Sequence, residues 1–193
     1  MHALVDELVA SHGAVVYQHG RCLEVPMTAE VERLCSGYRL DDRFPFSWWE
    51  LRYQRTARFP FTRWLPLGAA LGAKVETLVH VVGPWRLRRG KPIGYISGGR
   101  WDPVTGTDGR RVTHRKSSRS GHQFNADDRD YPRRSGGTAW DVPFIASKAE
   151  VDWLKSIQLP DGRLVSIIVY EQNRGGLTHV DLRAGAPYRK RER

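Results

Sequence analysis

The sequence predicts an α+β fold: a small, mainly antiparallel sheet with flanking helices and a long inserted loop. Three observations predict it. Apolar residues recur at helical spacing over 2–11, 71–82 and 147–157. A run rich in β-branched residues at 164–170 is followed by strict alternation at 177–183, the mark of two paired strands. Between these regions lies a polar stretch, 97–137, rich in Gly and Arg and poor in large apolar residues, which reads as loop.

Taken in order, residues 2–11 carry apolar pairs at Leu4-Val5 and Leu8-Val9, and Gly13 stands just past them as a helix stop. A short β-like stretch follows at 14–18. Thr28 is placed to cap a second helix, with Glu30 and Glu32 near its first turn, where they complement the helix dipole. Residues 41–66 hold the tetrapeptide RFPF twice, at 43–46 and 58–61, each followed closely by Trp. Two readings fit: a Pro-punctuated loop or pair of short helices whose aromatics plug the core, or a surface that stacks sugars or bases. Leu71, Val75, Leu78, Val79 and Val82 trace the inner face of a helix that Gly83-Pro84 should end. Residues 93–96 read as a short strand and 138–142 as another. Ser147 with Glu150 forms a capping box for a helix over 147–157, with Val151 and Leu154 facing inward. The turn at 173–176 would join the last two strands into a hairpin. The expected organisation is an N-terminal helical and aromatic-rich segment, 1–66, and a second unit, 67–193.

The chain has 193 residues, a size at which one hydrophobic core forms comfortably. Apolar residues make up 40 % and seven residues are Trp, which excludes a disordered polymer. The net charge of +10 implies a polyanionic partner: nucleic acid, anionic lipid or a phosphate-bearing wall polymer. Cys22 and Cys35 are the only cysteines and read as two thiols rather than a disulfide framework. No segment reaches the roughly 18 apolar residues of a membrane helix. Asp6 and Glu7 stand where a signal peptide would be basic and then apolar, so the expected location is cytoplasmic, with release by lysis or carriage in a phage particle.

Chemistry concentrates in the polar and alternating regions. A catalytic zinc site takes three ligands drawn from His, Cys and carboxylates and leaves a fourth position for water. His179 and Asp181 lie two apart on one strand and so share a face. Asp141 stands between Trp140 and Val142, where a carboxylate is costly unless paired or bound to metal. His122 sits in the polar stretch before that strand. Ser97-Gly98-Gly99-Arg100, Ser120-Gly121-His122, Gly137-Thr138-Ala139-Trp140-Asp141 and Thr178-His179-Val180-Asp181-Leu182-Arg183 occur in this order, with helix 71–82 before the first and helix 147–157 before the last.

In this order the sequence resembles the superfamily of D-alanyl-D-alanine carboxypeptidases and phage endolysins, zinc peptidases that cut peptidoglycan stem peptides. The resemblance covers about 70–187. It implies a Zn2+ ion held by His122, Asp141 and His179, whose ligating atoms would lie within about 4 Å of one another. It also implies that Arg100 stabilises the oxyanion of the attacked carbonyl. The family spaces its first His and Asp seven apart; here His122 and Asp141 are separated by an inserted QFNADDRDYPRRSG, and strict spacing would fall on Arg134. Asp128, Asp130 and His114 are therefore alternative ligands. The family's general base, three residues before the last His, is replaced by Gly176; Asp181 is the substitute, with Glu171 behind it, and Asp181 alternatively orients a ligand. Two other functions stay open: an inactive peptidase-like structural or wall-binding protein of a phage particle, and a basic nucleic-acid-binding protein.

Overall fold

The computed structural model describes residues 1–17, 22–52, 61–93, 138–170 and 176–183. Helix α1 (His2–His12) ends on Gly13, whose φ of 67° supplies the left-handed cap; the backbone N–H of Ala14 donates to Leu8. Strands β1 (Val15–Tyr17), β2 (Cys22–Pro26) and β5 (Thr62–Pro66) form one antiparallel sheet in the order β1-β2-β5. Helix α2 (Ala29–Gly37) starts as its sequence expects, with the Thr28 hydroxyl accepting from the N–H of Val31.

The first RFPF motif is neither a loop nor a helix pair. Strands β3 (Arg39–Asp41) and β4 (Phe44–Ser47) make a hairpin, followed by a 3₁₀ turn at Trp48–Leu51 that Ser47 and Glu50 cap reciprocally. Alternation decides it: Phe44 and Phe46 are buried while Pro45 between them is exposed, the two-residue period of a strand. Trp48, Trp49 and Trp64 are buried as well, and the Trp48 indole donates to the carbonyl of Pro66 at 2.9 Å. The aromatics thus plug the core. The second motif, 58–61, lies outside the described residues except for exposed Phe61.

The expected helix over 71–82 is longer and does not stop at Gly83-Pro84. Helix α3 (Gly68–Thr77) passes through a π-helical turn at Leu78–Val82 straight into α4 (Gly83–Arg89). Pro84 has no N–H to donate, but at the start of α4 none is required, and the widened turn before it shifts the hydrogen-bond ladder at that point. Gly83 serves packing, not termination: a Cβ there would lie 2.5 Å from Cγ of Phe44. The buried face is also rotated from the one expected. Ala70, Lys74, Thr77, Leu78, Val81 and Val82 face inward, whereas Leu71, Val75 and Val79 are half-buried.

Strands β6 (Trp140–Val142), β7 (Leu164–Tyr170) and β8 (Leu177–Arg183) form an antiparallel sheet in the order β6-β8-β7. The fourth expected strand, 93–96, lies outside the described residues apart from buried Ile93. The polar stretch is likewise outside them through residue 137. Helix α5 (Lys148–Ser156) begins at the expected capping box, buries Val151 and Leu154, and packs on β7. Glu150 also accepts from the Trp85 indole at 3.1 Å and from Arg89 at 2.9 Å, which fastens α5 to α4. The ring of Phe46 meets that of Trp140 edge-on at 5.5 Å, joining the β3–β4 hairpin to the second sheet. Cys22 and Cys35 are buried free thiols. No described helix is long and apolar enough to cross a membrane.

Gly83→Ala should destabilise the fold by about 1–3 kcal/mol, the usual effect of overpacking, because Phe44 must give way. Gly72→Ala on the open side of α3, where a Cβ meets nothing within 4 Å, should instead stabilise it by about 1 kcal/mol. Urea unfolding of both variants checks the contrast; equal effects would deny the Phe44 contact.

Candidate metal centre

Register divides the β6-β8-β7 sheet into two unlike faces. Trp140 and Ile167 both oppose Val180, Val165 opposes Leu182, and Val142 opposes Thr178; this face is apolar. Its one hydroxyl, on Thr178, accepts from the N–H of Ala146 and donates to the carbonyl of Phe144, both at 2.8 Å, and so ties down the turn before α5. The other face is polar. Asp141 directly opposes His179, Asp181 lies two residues further along β8, and Ser166 opposes Asp181. All four are buried: Asp141 and His179 are 8 % exposed and Asp181 only 1 %.

The contacts on this face are specific. The His179 Nδ1 lies 2.7 Å from Asp141 Oδ1, a hydrogen-bond distance. Its Nε2 lies 3.8 Å from Asp181 Oδ2, close enough for charge to matter but too long for a direct hydrogen bond. The Thr138 hydroxyl donates to Asp181 Oδ1 at 2.5 Å. Helix α3 contributes from the side. The Thr77 hydroxyl donates to the carbonyl of Thr138 at 2.7 Å, and the Lys74 ammonium donates to the carbonyl of Ala139. That ammonium also stands 5.9 Å from the centre of the Trp140 ring.

Burial sets the protonation states. Lys74 is wholly buried, and desolvation pulls its ammonium down to about 7, against the attraction of Asp181 and Asp141. Burial also acts to lower His179, but its contacts with Asp141 and Asp181 and the charges of those carboxylates outweigh it. The imidazole is therefore held above its ordinary range. Two carboxylates thus share this interior with an ammonium and an imidazole whose protonated form they favour.

The expected ligands Asp141 and His179 are brought together, and Asp181 joins them on the same strand face, as its spacing requires. His122 and Arg100 lie outside the described residues, as do the alternatives His114, Asp128, Asp130 and Glu171. Among the described residues no group of three His, Cys, Asp or Glu side chains gathers as a metal site. A carboxylate and an imidazole nitrogen side by side on adjacent strands are nevertheless donor types that zinc accepts, so this pair fits two of its ligands.

Lys74, Thr77 and Thr138 were not anticipated. One signal was present: Lys74 and Thr77 share helical spacing with Ala70, Leu78 and Val81, so a lysine and a threonine interrupt an otherwise apolar face. Comparison of the chain with protein-family models, with curated proteins and with solved structures gave no match.

The lowered Lys74 gives a stability signature with a definite sign. Between about 7 and its ordinary 10.5, the unfolded chain holds a proton on Lys74 that the folded chain does not. Raising the pH through this window therefore stabilises the fold. Lys74→Met should remove that slope and be the more stable form at pH about 7.5, with the two converging toward pH about 9.5. Urea unfolding at both pH values measures it; parallel curves would mean that Lys74 keeps its ordinary affinity for protons.

Proposed function

We propose that the chain is a zinc-dependent peptidase that cleaves peptidoglycan stem peptides, with Asp141 and His179 holding the metal. The observation that supports this most is the Asp141–His179 pair, directly opposed on β6 and β8 and 2.7 Å apart on the sheet's polar face. His122 is assigned as third ligand on the resemblance alone. Bound there, zinc would supply a Lewis acid for the peptide carbonyl and a water of lowered pKa.

The chain's own residues divide the remaining work. Asp141 supplies a negative charge, and His179 a nitrogen whose direction is fixed by what lies behind the ring. Asp181 stands there, its carboxylate 3.8 Å from Nε2, and acts on the ring through its charge. Only 1 % exposed and engaged by the Thr138 hydroxyl, it suits orientation of the imidazole better than proton exchange with a solvent-derived water. The general base then falls to Glu171, the residue that follows β7. Arg100 stabilises the negative charge that develops on the attacked carbonyl.

The placement of charge supports an anionic polymer as partner. The described residues carry 14 Lys and Arg against 14 Asp and Glu, so the whole of the +10 falls on the other segments, 94–137 and 184–193 above all. The same observation favours a second reading, an inactive wall-binding or particle protein, or a nucleic-acid-binding one, which would use this charge without catalysis.

Zinc content and release of peptide from purified bacterial walls discriminate these readings. His179→Ala and Asp141→Asn should each lose zinc while keeping wild-type circular dichroism. Arg100→Ala should keep zinc and slow turnover by about 10²–10³-fold, the typical loss of one oxyanion donor. A folded, zinc-loaded wild type that releases nothing from a range of walls would reject the enzyme. A folded wild type that takes up no zinc would reject the metal centre; steeply salt-dependent binding to nucleic acid would then identify the second reading.

A further inference from the structure

Strand β6, which carries Asp141, has three residues and lies at the edge of its sheet, paired with β8 alone among the described strands. So short a strand is placed by few ladder hydrogen bonds. Its entry is held instead from α3. Thr77 donates to the carbonyl of Thr138 and Lys74 to that of Ala139, two successive peptide groups gripped by side chains one helical turn apart. Thr138 carries the connection on, because its hydroxyl donates to Asp181 Oδ1, the carboxylate that flanks His179. Both members of the Asp141–His179 pair are thereby referred to one helix: Asp141 through the backbone two and three residues before it, and His179 through Thr138 and Asp181.

Packing alone does not account for the residue types involved. Lys74 is 0 % exposed, and a Met of similar length would fill the same space without desolvating a cation. Thr77 is also 0 % exposed, and a Val would have the same shape. What Lys and Thr have in common at these two places is a donor directed at the entry of β6.

We propose that Lys74 and Thr77 are positioning residues of the metal centre, holding β6 where Asp141 meets His179. This rests on the reading of that pair as zinc ligands. Neither residue touches substrate. Their contribution is the fixed relation of the ligands, and loss of such outer partners typically weakens metal binding by about 10–100-fold.

The test compares wild type with Thr77→Val, Thr77→Ser and Lys74→Met. Zinc affinity is measured by competition with a chromophoric chelator, and thermal unfolding is followed in parallel. Thr77→Val and Lys74→Met should bind Zn2+ about 10–100-fold more weakly, and Thr77→Ser, which keeps the hydroxyl, should restore binding. The unfolding midpoint of Lys74→Met should not fall, which separates positioning from support of the fold. A second readout needs no metal. In the zinc-free protein the ring N–H proton of His179, held by Asp141, should resonate far downfield. It should move or broaden in Thr77→Val and Lys74→Met and stay in place in Thr77→Ser. Folded Thr77→Val and Lys74→Met proteins with wild-type zinc affinity and an unmoved His179 proton would overturn the proposal. A wild type that binds no zinc would overturn the metal reading alone, and the His179 proton would still decide whether α3 positions the pair.

Discussion

Charge withdrawn from water organises the centre of this molecule. Asp141, Asp181 and Lys74 are buried, and each ionised group so placed costs several kcal/mol unless its neighbours compensate. Compensation needs particular atoms at particular places, which explains the arrangement around them. The edge of β6 meets a helix whose inward side carries donors, and Thr138 directs its hydroxyl at a carboxylate. His179 sits between two aspartates that together raise its proton affinity. The apolar face of the same sheet could be filled by many combinations of Val, Ile and Leu. The polar face tolerates far fewer, because exchanging any one member leaves another without its counterpart.

Around this centre the packing is directional. The α3–α4 helix runs through a π turn, and its two parts do different things. The first presents Lys74 and Thr77 to β6. The second presents Trp85 and Arg89 to Glu150, the residue that also caps α5. Gly83 at the junction lets the Phe44 ring lie against the helix. Phe46, two residues further along the same strand, meets Trp140, the neighbour of Asp141. The N-terminal hairpin thus braces the strand that carries a candidate ligand. Buried residues from Leu8 to Leu182 belong to one hydrophobic cluster, so the aromatic-rich segment and the second sheet share an interior.

Most of the elements were legible because their signals are local. Caps at Thr28 and Ser147, the glycine stop at Gly13 and the alternation of β8 each involve residues within four positions of one another, and each element formed accordingly. Gly83-Pro84 misled for the same reason. A glycine and a proline side by side usually end a helix, but here the glycine answers to Phe44, a residue 39 positions away. The hairpin at 39–47 was missed because its proline reads as loop, although Pro45 occupies the outward position of an edge strand, where proline is tolerated.

By itself the sequence determined the α+β class, the last two strands as a pair, the capped helix before them, and the shared face of His179 and Asp181. All of these follow from periods of two and 3.6 residues. It also placed Asp141 among apolar neighbours, where a carboxylate requires a partner. Only the tertiary structure decided which partner: Asp141 meets His179 across 38 positions, and Lys74 meets Ala139 across 65. Periodicity assigned Leu71, Val75 and Val79 to the inner face of α3 and left Lys74 outside it. The helix turns Lys74 inward instead, where a hydrogen bond to the Ala139 carbonyl and two nearby carboxylates compensate only part of the burial of an ammonium. Such compensation comes from groups distant in the chain, and no local pattern encodes it.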